Sequence, residues 1–122
     1  MAVEVHAGGE DRRFPSTRRL LARRQFLRAR SRGRKTQTRH LIALWMPAPG
    51  SEGRVGLTVS TKVGNAVVRN RVKRWLREIY RTERAAIPRP VDLVLIARAG
   101  AGEAGYHALR AQFLEIARRI PR

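Results

Sequence analysis

The chain contains no cysteine among its 122 residues, which excludes a disulfide framework, a thiolate zinc site and a thiol nucleophile, and is compatible with the cytosol. Acidic residues are scarce: nine Asp and Glu stand against 27 Lys and Arg, leaving a formal charge of +18. Lysine is scarcer still, with only Lys35, Lys62 and Lys73, so the positive charge is almost wholly guanidinium. Guanidinium forks onto phosphate and stacks on bases, and the self-repulsion of so much like charge is relieved by a polyanion. Nucleic acid is therefore the expected partner. No apolar run approaches the roughly eighteen residues of a membrane span, so no membrane association is expected. The Arg-rich N-terminal third is not expected to be an organellar presequence, because Glu4, Glu10 and Asp11 interrupt what would be an acid-poor segment.

The few acids also bear on chemistry. A nuclease that holds its own metal ions needs clustered carboxylates, and the nine here are scattered; Asp92 and Glu115 alone fall near expected core elements, while Glu78 and Glu83 are placed to pair with neighbouring arginines. His6, His40 and His107 lie in three separate segments without ligand spacing, each expected at the surface or at a strand end. No catalytic apparatus and no metal site of the chain's own is expected. The run Gly100-Ala-Gly-Glu-Ala-Gly105 matches the dinucleotide-binding pattern, but such a site needs a following parallel strand and an acid about 20 residues on. A flexible turn is the better expectation.

A hydrophobic content of 43% suffices for one modest core. Residues 1–13 show no periodicity and are expected as a disordered tail, with residues 14–122 forming a single domain. A short helix is expected from Arg23 to Ser31, ended by Gly33. Leu41 to Met46 reads as a strand stopped by Pro47, and Arg54 to Ser60 as a second strand with Val55, Leu57 and Val59 on a buried face and Gly56, Thr58 and Ser60 on a small polar one. Val91 to Ala97 reads as a buried strand, and Tyr106 to Ile120 as a last helix with Leu109, Phe113, Ile116 and Ile120 inward.

Between them runs GNAVVRNRVKRWLREIYR, Gly64 to Arg81, with six cations and one acid. At 100° per residue Val68, Val72, Trp75, Leu76 and Ile79 fall within about 100° of one another, the width of a core-facing stripe. Opposite lie Asn70, Lys73, Arg74, Arg77 and Arg81. A solvated helix face normally mixes signs; a face this nearly all positive points to RNA or DNA contact.

The run Lys62-Val-Gly-Asn-Ala-Val-Val-Arg-Asn-Arg-Val-Lys-Arg74, preceded by Arg54-Val-Gly-Leu-Thr-Val-Ser60, closely resembles the signature of the bacterial ribonuclease P protein subunit. Arg69-Asn70-Arg71 with Lys73 and Arg74 is its most specific part; Arg19-Leu20, Phe26, Gly33, Arg39 and Ile96-Ala97-Arg98 also match, so that the likeness runs from about Phe14 to Ile120. The resemblance implies an α/β (α+β) two-layer sandwich with a small mixed sheet, element order αβββαβα, and a left-handed βαβ crossover around the basic helix, an exception to the usual rule.

It also implies a role. The protein would bind a catalytic RNA subunit, one protein per RNA, through Lys62, Asn65, Arg69, Asn70, Arg71, Lys73, Arg74 and Arg77, with Arg19 and Arg39 as further RNA contacts. The RNA, with its Mg2+, would release the 5′ leader from precursor tRNA, and the protein itself would hold no cofactor. A cleft between the first helix and the sheet would take the single-stranded leader, lined by Phe26, Arg30, Thr58 and Leu44. Arg30 and Leu44 stand where relatives often carry aromatics, and Trp75 where a smaller aliphatic is common. A structural ribosomal protein remains as the alternative from another class, and it would be expected to carry long basic extensions without apolar residues; an RNA-independent, metal-dependent nuclease is the third.

Overall fold

The computed structural model describes residues 3–5, 33–48, 50 and 53–122. Strands β1 (Val3–Val5), β2 (Arg34–Gln37), β3 (Leu41–Pro47), β4 (Arg54–Val59) and β5 (Val91–Ala97) form one mixed sheet in the order β1-β4-β5-β3-β2. Only β4 and β5 are parallel; the other pairs are antiparallel. Parallel neighbours need a crossover, and helix α1 (Ala66–Glu83) provides it. A 3-10 turn, Arg84–Ala86, and Pro88 and Pro90 end that helix before β5, after which come a one-turn helix α2 (Ala101–Ala104) and helix α3 (Tyr106–Arg119).

Side-chain alternation divides the sheet into two buried faces. Leu41, Ala43 and Trp45 of β3, Val55, Leu57 and Val59 of β4, and Val91, Leu93, Leu95 and Ala97 of β5 meet Val72, Leu76, Ile79 and Tyr80 of α1 and Leu109, Phe113 and Ile116 of α3 in one core. The Tyr80 and Phe113 rings meet edge to face with centroids 6.3 Å apart. On the reverse face Leu44 and Val94 are packed with Ile42, Met46 and Ile96. Gly56 and Thr58 lie on this second face, as expected, and it too is buried.

Several expectations are corrected. Within residues 1–13, expected as a disordered tail, Val3–Val5 is a strand on β4; a short β-branched segment can satisfy backbone groups that an edge strand leaves open. Within Gly100–Gly105, expected as a flexible turn, Ala101–Ala104 forms the helical turn α2, capped by the two glycines. Gly100 takes φ 91°, which favours glycine, and a Cβ on Gly102 would lie 2.6 Å from Val68 Cγ1, so these glycines allow α2 to sit against α1. Trp75, placed on the inner stripe of the basic helix, is only partly buried at the edge of the core. Glu83 pairs with Arg110 of α3 at 2.8 Å, a contact between helices instead of along one. The helix expected over Arg23–Ser31 lies outside the described residues.

Candidate nucleic-acid interface

Helix α1 starts at Asn65, whose Oδ1 accepts the Val68 backbone N–H at 3.0 Å. This is an N-cap, and it commits to the helix one oxygen of a residue expected to meet RNA. No acid occupies the first turn. The positive end of the helix dipole is thus left to add to the basic side chains, and the helix is held by its packed face more than by its termini. Val67, Asn70, Arg71 and Arg74, spaced i, i+3, i+4 and i+7, are all exposed and form one outward stripe.

The other expected contacts are less free. Arg69 folds back to donate from Nη1 to the Gly64 carbonyl at 3.0 Å and is half-buried. Lys73 and Arg77 are also half-buried, each engaged within the protein. Arg71 lies over the Trp75 ring, 6.0 Å from its centroid, a cation–π contact at the rim of the core. Glu78 is bonded to Arg81 and Glu83 to Arg110, so neither helix acid is left to neutralise the outward stripe. Lys62 is exposed in the turn before the helix.

Arg39 is exposed on the turn between β2 and β3. That turn is braced by residues which composition and pattern did not single out. Gln112 Oε1 accepts from the Thr38 hydroxyl at 2.7 Å and from the His40 backbone N–H at 2.8 Å, while Arg98 Nη1 donates to the carbonyls of Thr38 and Arg39 at 3.2 and 3.3 Å. Val67, 67% exposed amid the cations, was not singled out, although helical spacing sets it outside the apolar stripe.

The expected cleft residues divide. Phe26 and Arg30, like Arg19, lie outside the described residues. Thr58 and Leu44 share the second sheet face, with Val94 and Ile96 of β5 between their strands. Both are buried, Thr58 at 0% and Leu44 at 7% exposure, so neither presents open surface. The Thr58 hydroxyl has no hydrogen-bond partner among the described residues. A buried hydroxyl without an acceptor or donor is costly, and so marks a place where a polar group from elsewhere would be welcome.

The carboxylates of the described residues are mostly engaged with arginines. Among the described residues no three His, Asp or Glu side chains cluster to hold an ion, and Asp92, Glu78, Glu83 and Glu115 each bond an arginine. Asp92 accepts from Arg54 Nε at 3.0 Å and Nη2 at 2.6 Å.

A small α+β domain whose crossover helix turns a cationic, almost acid-free face outward is a protein built to hold RNA. Residues 14–121 match the model of the Ribonuclease P family, and the chain belongs to that family. It is 44% identical over 117 residues to the ribonuclease P protein component of Desulfovibrio desulfuricans, covering 91% of this chain and 90% of that one. The counterpart from Desulforapulum autotrophicum is 47% identical over 85 residues, 70% of this chain and 73% of its own. The structure of the RNase P protein from Thermotoga maritima superposes with a TM-score of 0.76 at 32% identity, over 84% of this chain and 97% of the other. The chain is thus a protein subunit of ribonuclease P, an endoribonuclease of tRNA 5′ processing, and works with the RNase P RNA. The ribosomal and metal-nuclease alternatives fall with that membership, and the apolar pattern that continues to buried Ile120 agrees.

Proposed function

We propose that the outward stripe of α1 is the surface that seats this protein on its RNA subunit, one protein per RNA, and that the second sheet face receives the 5′ leader of precursor tRNA. The observation that carries the first part is the exposure of Asn70, Arg71 and Arg74 on one stripe, while Glu78 is bound to Arg81 further along the same helix and Glu83 to Arg110 of α3. Phosphates of an RNA groove then meet cations and the positive helix end without an interposed carboxylate. The second part rests on the unpartnered Thr58 hydroxyl on the face shared with Leu44, which is buried in the free protein, so the leader would reach it only where binding opens that face.

Because the carboxylates are scattered along the sequence and Asp92, Glu78, Glu83 and Glu115 are paired with arginines, the Mg2+ of the reaction is assigned to RNA ligands, and no step is assigned to a metal on this chain. The protein's work is to lower phosphate repulsion in the complex and to distinguish precursor from mature tRNA, in the cytoplasm where tRNA is matured. The test is reconstitution with a cognate RNA subunit and precursor tRNA at low magnesium. Leader release should rise on adding protein; no stimulation would overturn the reading, and cleavage by the protein without RNA would replace it with a protein-borne reaction.

A further inference from the structure

The indole of Trp45 is 2% exposed, and two guanidinium groups lie against it: Arg34 at 5.7 Å and Arg89 at 5.8 Å from the ring centroid. Arg34 is the cross-strand partner of Trp45 on the outer strand β2. Arg89 comes from the segment between α1 and β5, which is tied to the end of β3 by the Ala48 N–H donating to the Pro90 carbonyl at 3.2 Å. Two consecutive strands and a segment far along the chain therefore converge at one end of the sheet.

Among the described residues the convergence is rich in side-chain donors and has no carboxylate acceptor. Trp45 Nε1 and Arg89 Nε are buried with no hydrogen-bond partner among the described residues, and Arg84 Nη1, on the same connecting segment as Arg89, shares that condition. Neither Arg34, Arg84 nor Arg89 has a carboxylate partner among the described residues, although Arg54, Arg81, Arg110 and Arg119 all do. A packed interior normally satisfies its donors. Stacking on an indole also fixes a guanidinium plane while leaving its N–H edge free to fork onto an anion.

We infer that Arg34 and Arg89, held on Trp45, form a second phosphate-binding site, taking a backbone phosphodiester of RNA at the end of the sheet where β3 ends and β5 begins. The acceptor oxygens missing among the described residues are those a phosphate brings. This site rests on the protein's partnership with RNA but not on the assignment of the α1 stripe, and it uses none of that stripe's residues.

The test compares Arg34→Gln, Arg89→Gln and Arg74→Gln for the salt dependence of binding to the RNA subunit alone and, in the assembled holoenzyme, to precursor tRNA. Arg34→Gln and Arg89→Gln should each flatten the log-log slope by about 0.7 to 0.9 with one of the two RNAs, and the RNA affected identifies the source of the phosphate. Arg89→Lys should keep the slope, since it keeps the charge; a residue serving only to pack the indole would lower the melting temperature in both Gln and Lys variants and leave the slope alone. Unchanged slopes for Arg34→Gln and Arg89→Gln with both RNAs, while Arg74→Gln flattens its own, would overturn this site and leave the α1 interface standing. If Arg74→Gln also has no effect, both readings fall.

Discussion

Arg54 and Asp92 bond each other twice across the parallel pair β4 and β5, at 3.0 and 2.6 Å, with side-chain exposures of only 17% and 7%. They are register partners, so the ion pair fastens the two strands on either side of the basic helix. Removing one member strands the other in a poorly solvated place. Asp92→Asn should cost about 3 kcal/mol, the lower end for breaking a buried pair because Arg54 keeps some contact with water, whereas a joint change to apolar residues should recover most of it. Urea unfolding of the single and double variants decides the matter; a single variant as stable as the parent would mean the pair is solvated.

The same pair sets a pH dependence. The hydrogen bonds to Asp92 raise the pKa of Arg54, burial opposes them, and the charge of Asp92 adds to the rise. A group whose pKa is higher folded than unfolded contributes stability that is complete below its unfolded value and is lost only as pH climbs through the folded one. The contribution of Arg54 should therefore stay constant through the neutral and moderately alkaline range, and disappear only beyond the ordinary arginine range. The stability gap between the parent and Arg54→Met, followed from neutral pH upward, should not narrow.

On α1, the structure ranks the cations. Arg71 and Arg74 are exposed, while Arg69 is bonded to Gly64 and Lys73 and Arg77 are engaged within the fold. Arg74→Ala should flatten the salt dependence of RNA-subunit binding by roughly 0.7 to 0.9 in log-log slope without changing the melting temperature. Arg69→Ala should lower affinity and loosen the turn at Gly64 together. Asn70→Ala should lose affinity with little change in slope, because an amide releases no counterion. Equal effects of Arg69 and Arg74 on slope, with no effect of either on stability, would contradict the ranking.

Much of this arrangement was legible in the chain. The apolar alternation of β4 and the run Val91–Ala97 set two strands correctly, and the 3.6-residue spacing of Val68, Val72, Leu76 and Ile79 oriented the basic helix. What escaped did so because it depends on tertiary partners. Arg34–Gln37 has the sequence Arg-Lys-Thr-Gln, with no apolar alternation, and is a strand because β3 supplies its ladder. Trp75 has the spacing of a core residue, yet it lies partly buried at the rim under Arg71, a position spacing alone does not show. Asn65 fits equally an RNA contact and a helix cap until the bond to Val68 is seen.

Thr58 separates leader binding from folding. Its hydroxyl is buried without a partner among the described residues, so Thr58→Val, which keeps the shape and removes the polar atom, should stabilise the free protein by about 1 kcal/mol. If that hydroxyl meets the leader, the same variant should bind precursor tRNA several-fold more weakly as holoenzyme while mature tRNA binds as before. Equal losses for both tRNAs would assign Thr58 to the fold or to the RNA subunit.

Asn65 carries two roles that one substitution can part. Aspartate caps a helix as well as asparagine does, and a negative charge suits the N-terminal end of a helix whose first turn holds no acid. Asn65→Asp should therefore leave stability unchanged or raise it by a few tenths of a kcal/mol, up to about 1. It also sets an anion beside Lys62 and Arg69, at the end of the helix where RNA phosphate is expected, so affinity for the RNA subunit should fall, most strongly at low salt. Asn65→Ala should do the reverse in part: it loses the cap, costing about 1 kcal/mol, but adds no repulsion. Thermal melts and RNA titrations of the two variants side by side give four numbers. A stable Asp variant that binds RNA as well as the parent would place the helix N-terminus away from the RNA, and an Asp variant that melts early would show that the bond to Val68 is not what starts the helix.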